Sequence, residues 1–447
     1  MKTITLESGI VIVNPRPARL MATNSQKELL STSITLSVLT AVHEYAESLL
    51  KPLGATFNKS SKIQCFVEPT FDHKKLKDCN LRPDGLIEVS YGKKTWTALI
   101  EAKTGANAIE APQVESYLDL ARTIGAQSVV TISNQFVCDP SHPVVKLNGQ
   151  KTRSVSPFHW SWSFLQAEAK IQIGQSAVDD EDQAYILKEY VRFLDDDRSG
   201  VEKFKHMSTV WSESVKQLNR GEEISKTDDI PAKMVNNWNE LIRSCSLQLS
   251  EALQQNVSIH LTRSERDKPT ERMKNDVTLL LQHSELRSTM KVPDAASFID
   301  VQAHLVARSL QVSMDLKAPT DKTRATACVN WLTRQLKNCD QPESLRVRAR
   351  WPGRTKDSNS TLAEALANPE CLTESAPKGD LPKSFTVLLH KDMKQSFTQR
   401  QKLPAEVENT ILEFYKCAGQ NLRAWVPPAP KVKSPPALQT DDEPSAD

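Results

Sequence analysis

Alternating apolar and polar positions predict two short strands between residues 82 and 103. The letters there read RPDGLIEVSYGKKTWTALIEAK, and Gly92 lies where the chain would turn between the strands. Successive side chains of a strand point to opposite faces, so Glu101 and Lys103 point from the same side. An acid and a base are therefore expected side by side at the end of one strand, with Asp84 on the neighbouring strand.

The periodicities around this hairpin predict an order of helix, three strands, helix and strand. The first helix is expected over residues 25–50, where Ser25 and Glu28 have the spacing of a capping box. A strand pair or an extended arm precedes it in residues 1–20. The remaining predicted elements are strands over 62–68, 84–91 and 95–103, a helix over 111–124, and a strand over 127–133.

The second half of the chain predicts a separate α+β domain. Helices over 182–194 and 201–218 lead to a polar stretch, 221–229, which we interpret as the boundary. The elements expected beyond it are a helix over 231–253, strands over 257–262, 277–282, 288–292 and 310–315, a helix over 322–336, strands over 345–350 and 384–390, and a helix over 403–425. The proline-rich tail, 426–447, is expected to be disordered. The predicted domains are thus 1–222, an α/β domain with a helical extension, and 230–425.

The composition indicates the number of domains and the cellular compartment, but it does not indicate a reaction. A chain of 447 residues exceeds one typical core, which favours two or three domains. No apolar run is long enough to cross a bilayer, and the N-terminus lacks the pattern of a secretion signal. The eight cysteines are scattered without a CxxC pair, which favours a reduced, cytoplasmic protein without a zinc site. The net charge of +2 requires any basic surface to be local.

Carboxylates at strand ends suit the hydrolysis of phosphodiesters. Mg²⁺ prefers a few carboxylates together with water, and it lowers the pKa of its bound water. Asp84 and Glu101 are candidate ligands, and the carbonyl of Ala102 is a third. Lys103 would orient or deprotonate the attacking water, or stabilise developing negative charge. The alternative is an exposed ion pair of Lys103, worth only about 0–1 kcal/mol.

These residues resemble a known signature. Pro83-Asp84 followed by Glu101-Ala102-Lys103 is similar to the motif of the PD-(D/E)xK nuclease superfamily, which has the restriction-endonuclease-like fold. The predicted element order over 25–133 resembles the αβββαβ core of that superfamily. The resemblance covers about the first 135 residues. It implies that Asp84 and Glu101 bind Mg²⁺ or Mn²⁺ and that Lys103 is catalytic.

Two helices would complete the site by the same resemblance. Gln113 and Tyr117 resemble the Gln-x-x-x-Tyr variant of some recombination and defence nucleases in this group, which implies that Gln113 assists at the site. The alternative is an exposed Gln113 and a Tyr117 in the core. Many members use an acidic residue on the first helix, for which Glu28 and Glu44 are the candidates here. For Glu28 the capping box is the competing role.

A second string of the same type lies further along the chain. Pro293-Asp294 and Asp315-Leu316-Lys317 also spell PD…DxK, but the stretch after Asp294 predicts no clean second strand. This string is a rival position for the chemistry.

Two further groups of residues have competing interpretations. Arg346, Arg348 and Arg350 alternate on one face of a predicted strand, which either contacts phosphates or is a solvated surface balanced by acidic neighbours. Trp160 and Trp162 are expected in the core, with a base-stacking groove as the alternative.

These features predict a metal-dependent endo- or exonuclease, and the resemblance implies DNA rather than RNA as its substrate. By resemblance, its setting would be prokaryotic defence, mobile-element or repair biology. The C-terminal domain is expected to bind nucleic acid or a partner protein, or to join copies of the chain as a homo-oligomer. The alternative is a non-catalytic, nuclease-like subunit of a larger nucleic-acid-processing complex.

Overall fold

The computed structural model describes residues 2–21, 26–76, 81–225, 229–374, 376, 379–427 and 429. These residues form a mixed α/β fold with three sheets. Most of the tail predicted to be disordered, 426–447, lies outside the described residues, as does Ser25 of the predicted capping box. Within the described residues, no helix is long and apolar enough to cross a membrane.

A five-stranded mixed sheet is the centre of the first half. Its strand order is β3-β5-β6-β7-β8, with β3, β5 and β6 antiparallel and β7 and β8 parallel to β6. The elements of this half are β1 (Thr3–Thr5), β2 (Val11–Val13), α1 (Lys27–Ala41), α2 (His43–Leu50), β3 (Lys62–Val67), β4 (Thr70–Phe71), β5 (Gly85–Tyr91), β6 (Lys94–Ala102), α3 (Ala111–Ile124), β7 (Ser128–Ser133), β8 (Ser156–Ser161), α4 (Trp162–Gly174), α5 (Glu181–Asp195) and α6 (Thr209–Asn219). The predicted order of three strands, helix and strand is confirmed for the five-stranded sheet, whereas the first helix is divided in two and the short β4, which belongs to another sheet, follows β3.

Both faces of this sheet are buried. One face packs against α1, α2, α4 and α5 through residues such as Ile87 and Ile100. The other packs against α3 and the β1–β2 hairpin through residues such as Leu86 and Leu99. Because apolar side chains cover both sides, polar groups on these strands are expected mainly at the strand ends, where the sheet meets solvent.

The prediction of one continuous helix over 25–50 is wrong, because the structure contains two helices, α1 and α2, in this range. Val42 has extended backbone angles, φ −114° and ψ 99°, and separates α1 from α2. Gln26 precedes α1 without a side-chain cap, and Glu28 uses its carboxylate elsewhere. The apolar spacing continues across the break, so periodicity alone does not reveal it.

The second half is built on a seven-stranded antiparallel sheet, in the order β14-β13-β15-β12-β11-β10-β9. Its elements are α7 (Ile230–Leu253), β9 (Ser258–Ile259), α8 (Arg263–Asp267), α9 (Pro269–His283), β10 (Glu285–Lys291), β11 (Ile299–His304), β12 (Ser309–Lys317), α10 (Ala325–Gln335), β13 (Leu345–Arg350), β14 (Ser358–Thr361), α11 (Leu362–Ala367), β15 (Ser384–Asp392) and α12 (Lys402–Phe414), followed by the π-helical turn Tyr415–Gly419. Helix α6 precedes the predicted domain boundary, yet it packs into the hydrophobic core of the second half through Trp211. The ring of Trp211 stacks on the ring of Trp238.

Several predictions for the second half need correction. The strand predicted over 277–282 is part of α9, because Val277, Leu280 and Leu281 have helical rather than alternating spacing. The stretch after Asp294 does contain a strand, β11. The helix predicted over 201–218 begins only at Thr209, and the last helix ends at Gly419 rather than at 425. The strand predicted over 257–262 is reduced to the two residues of β9.

Candidate active site

Asp84 is held at the junction of β5 and β6. It immediately precedes β5, whose first residue, Gly85, pairs with Ile100 of β6. The Asp84 Oδ2 atom accepts a hydrogen bond of 2.8 Å from the backbone N–H of Ala102. The register of the hairpin therefore brings Asp84 to the end of the strand that carries Glu101.

Glu101 and Lys103 form an ion pair at that strand end. Lys103 Nζ lies 2.6 Å from Glu101 Oε1, and only 1% of the Glu101 side chain is exposed against 19% for Lys103. Coulomb attraction is much stronger in such a buried environment than at the surface. The interpretation of Glu101 and Lys103 as an exposed surface pair is therefore wrong.

The negative charge of Glu101 destabilises the ionised form of Asp84. Burial, and then the negative charge of Glu101, raise the pKa of Asp84 to about 7, although the Ala102 N–H and the charge of Lys103 act in the opposite direction. Burial lowers the pKa of Lys103, but its contact with Glu101 and the charges of Glu28 and Asp84 outweigh this, so the net pKa is raised. The raised pKa favours the cationic form of Lys103, which suits the stabilisation of negative charge better than the deprotonation of water.

Helices α3 and α1 add polar groups to the same place. The hydroxyl of Tyr117 donates to the backbone carbonyl of Arg82 at 3.1 Å, and the side chain of Gln113 contacts the same hydroxyl. Burial raises the pKa of Tyr117, and the charges of Glu101 and Asp84 raise it further, because the ring lies beside both carboxyl groups. Tyr117 is buried, as its core interpretation required, yet it also lies at the site.

Of the two acidic candidates on the first predicted helix, Glu28 is the one that reaches the site. Its Oε1 lies 3.7 Å from Lys103 Nζ, and its Oε2 accepts a hydrogen bond of 3.4 Å from Asn107. Glu44 lies on α2, beyond the break at Val42. In the described part of the chain, no ion pair or hydrogen bond joins Glu44 to Lys103.

The buried carboxylate of Glu101 is balanced by the ammonium group of Lys103, and the side chains of Tyr117 and Asp84 lie against it. A buried carboxylate is costly unless a cation is present. Among the described residues, no group of three or more His, Cys, Asp or Glu side chains is arranged to hold a metal. Asp84 and Glu101 are the two carboxylates that would hold the ion, which suits Mg²⁺ because this ion retains several waters.

Sequence reasoning missed two parts of the site. The indole Nε1 of Trp162 donates to the backbone carbonyl of Lys103 at 2.8 Å, so this core tryptophan also holds the lysine backbone. A cleft of about 930 Å³ lies beside Glu28, and its wall includes Thr104, Asn107 and, from the segment after α5, Gly200 and His206. No local pattern marks these contacts, since they join segments distant in sequence.

The rival string is arranged differently. Asp294 is exposed in a turn with φ 57°. Asp315 and Lys317 are exposed on β12, whose neighbours on both sides are antiparallel. The arginines Arg346, Arg348 and Arg350 lie on the outward face of β13, where Arg346 and Arg350 are exposed and Arg348 is half-buried.

In comparisons with protein-family models, curated proteins and solved structures, no match to this chain was found. Any functional conclusion therefore depends on the geometry of the site itself.

Gly85 is expected to be intolerant of a side chain. A Cβ atom there would lie 2.5 Å from Leu36 Cδ1 and 3.3 Å from Ile100 Cβ, because β5 passes directly under α1. We expect Gly85→Ala to lower the free energy of unfolding by about 1–3 kcal/mol, as overpacking does. Urea unfolding of Gly85→Ala and Gly149→Ala would test this, since nothing lies within 4 Å of a Cβ at Gly149. Equal stability of the two variants would contradict the packing argument.

Proposed function

We propose that this chain is a metal-dependent nuclease whose first half has a restriction-endonuclease-like core. The observation that carries the proposal is the convergence of Asp84, Glu101 and Lys103 at one strand end. The αβββαβ order and the position of Gln113 and Tyr117 beside the carboxyl groups support it. We further propose DNA as the substrate and prokaryotic defence, mobile-element or repair biology as the setting.

In this proposal the side chains have distinct roles. Asp84 and Glu101 would hold Mg²⁺ or Mn²⁺, which when bound polarises the phosphate and makes its bound water a stronger nucleophile. Asp84 is oriented by the Ala102 N–H, and the predicted role of the Ala102 carbonyl stays a proposal. Lys103, a cation at neutral pH, stabilises the negative charge that develops on the phosphate. Glu28 lies close enough to Lys103 to orient its ammonium group.

The decisive experiment is cleavage of supercoiled plasmid DNA by the purified chain with Mg²⁺ or Mn²⁺. We expect Glu101→Gln to reduce cleavage by at least about 100-fold, since a metal ion supplies several kcal/mol of transition-state stabilisation. Lys103→Gln should reduce it by about 100- to 1,000-fold, the usual effect of removing one preorganised charge. The readout is the rate at which nicked and linear plasmid form.

A matched ion pair provides the control. Glu47 of α2 and Lys51, the residue after this helix, form a pair of the same charges at 2.8 Å, but both side chains are far more exposed. Glu47→Gln and Lys51→Gln should therefore cleave at the parental rate. If Glu101→Gln cleaves DNA at the parental rate, the site at Asp84, Glu101 and Lys103 is not the catalytic site. If Asp294→Asn loses cleavage, the catalytic residues are those of the second string.

A non-catalytic role in a larger nucleic-acid-processing complex is the second candidate. The observation that favours it is that no group of three or more acidic, histidine or cysteine side chains in the described residues is arranged for a metal. In that case Lys103 alone would neutralise Glu101. Calorimetric titration separates the two candidates, because the nuclease should bind Mn²⁺ at a site that is lost in Glu101→Gln, whereas the alternative predicts no such binding.

A further inference from the structure

The seven-stranded sheet of the second half has one buried face and one face that is exposed along β13 and at the end of β12. Leu345, Val347 and Ala349 of β13 are fully buried in the core, where the helices of this half pack. The alternate residues, Arg346, Arg348 and Arg350, point to the other side, and Arg346 and Arg350 are exposed. A sheet with one solvated face normally carries mixed polar residues there, so a concentration of one charge requires a reason.

Other cationic side chains lie next to the three arginines. The strand register aligns Arg350 with Ser384 of β15, and Ser384 with Lys317 of β12. Lys317 is exposed and points outward as well. We call Arg346, Arg348, Arg350 and Lys317 the basic face. The hairpin between β13 and β14 adds two exposed cations at the same end, Arg354 and Lys356.

Acidic groups lie near the basic face without forming ion pairs to it among the described residues. Glu364 interacts electrostatically with Arg346, and Asp357 lies in the same hairpin as Arg354 and Lys356. In the described part of the molecule, none of its four cations has a carboxylate within ion-pair distance, whereas exposed cations elsewhere, such as Arg16 and Lys51, do. Two carboxylates share the outward side of β12 and β15. Asp315 accepts a hydrogen bond from Thr386, and Asp392 lies at the far end of β15 from Arg350. Unpaired like charges on one rigid surface repel one another, and an anionic ligand removes that repulsion.

We propose that the basic face binds the phosphate backbone of duplex DNA. Alternate residues of a strand lie about 7 Å apart, so the three arginines form a rigid row of guanidinium groups, which bind phosphate well. The outward positions of β12, β13, β14 and β15 carry no Phe, Tyr or Trp. Single-strand binding relies on stacking of bases on aromatic rings, and this face offers only contacts to the backbone. The choice of DNA rests on the proposed function, but the contact to phosphate does not.

The test measures binding without cleavage. The full chain carrying Glu101→Gln is titrated against a fluorescent DNA duplex in the absence of divalent metal, at several salt concentrations. Adding Arg346→Gln, Arg348→Gln and Arg350→Gln is expected to weaken binding at least about tenfold. The slope of log affinity against log salt should fall by about 3, since each lost phosphate contact removes about 1. These side chains face solvent, so unfolding of the variant by urea should match that of the parent.

A charge-matched control separates a binding site from net charge. Lys51→Gln, Arg192→Gln and Arg263→Gln remove three exposed cations elsewhere, and should leave affinity and slope nearly unchanged. The proposal is overturned if the parent does not bind the duplex, if both triple variants lose affinity equally, or if single-stranded DNA binds more tightly than duplex through the arginines. Because no metal is present, failure here leaves the proposed cleavage intact, and failed cleavage leaves this binding intact.

Discussion

Asp84→Asn is expected to make the metal-free protein more stable at pH 8 while abolishing cleavage. In the folded protein, burial and the Glu101 charge raise the Asp84 pKa from its ordinary 3.8 to about 7. At 1.36 kcal/mol per pKa unit, the ionised carboxylate costs up to about 4 kcal/mol of folding free energy above pH 7. Asparagine removes this charge but keeps an acceptor for the Ala102 N–H. Urea unfolding in a chelating buffer measures the gain.

The raised pKa of Asp84 also determines how the stability of the folded protein changes with pH. Between the ordinary value of 3.8 and about 7, the folded protein holds the Asp84 proton more strongly than the unfolded chain does. The contribution of this group to stability is therefore fully present below pH 3.8 and is lost as pH rises through about 7. The stability difference between Asp84→Asn and the parent should accordingly be small at pH 4 and largest at pH 8.

The exposed carboxyl of Asp294 provides the control. Asp294→Asn makes the same change of charge in a turn and should leave the pH dependence of stability unaltered. Mn²⁺ should then stabilise the parent and not Asp84→Asn, since a ligand that binds only the folded state shifts unfolding by mass action. An identical pH dependence in Asp84→Asn and the parent would contradict the burial argument for this carboxyl group.

Trp162→Ala should lower the free energy of unfolding by about 3–5 kcal/mol, the usual cost of emptying a buried tryptophan site. The Trp162 side chain is fully buried against the sheet of the first half, and its Nε1 donates to the Lys103 carbonyl. Trp162→Phe fills most of the space but leaves that carbonyl without its donor, which should cost about 1–3 kcal/mol. Because the lysine backbone is then less restrained, we expect cleavage by Trp162→Phe to lose kcat with little change in KM.

Trp160 is the matched control, since it is a buried indole two residues earlier. Trp160→Phe should destabilise the fold while leaving kcat near the parental value. Thermal unfolding and steady-state cleavage of both variants test the pair. If both lose kcat to the same extent, Trp162 acts only through general stability and its bond to Lys103 has no functional role.

The proposed nuclease site lies in the first half of the chain, and the proposed DNA-binding surface lies in the second half. In these proposals, the site at Asp84, Glu101 and Lys103 would cleave the substrate at a buried strand end, and the basic face would bind the phosphate backbone of that substrate. Phosphate contacts supply affinity without sequence information, so this division predicts DNA cleavage with little sequence preference unless another surface reads the bases.

The sequence by itself determined the local elements of the site. Alternation over 84–103 is sufficient to predict β5 and β6 and to put Glu101 and Lys103 on one side, because side-chain direction in a strand depends only on position. The helical spacing of α3 likewise puts Gln113 and Tyr117 on one face. These features follow from the repeat of side-chain direction every two residues in a strand and about every four residues in a helix, and such repeats can be recognised in short stretches of sequence.

The tertiary structure alone decided how much each group is buried and which distant groups meet. The 1% exposure of Glu101, the choice of Glu28 over Glu44 and the bond from Trp162 to Lys103 all depend on segments far apart in sequence. The break at Val42 belongs to the same class, because the apolar spacing runs through it unchanged. The string at Asp84 and the string at Asp315 are nearly identical in letters. They differ because β6 ends between buried layers, whereas Asp315 lies on an open sheet face, where water screens its charge.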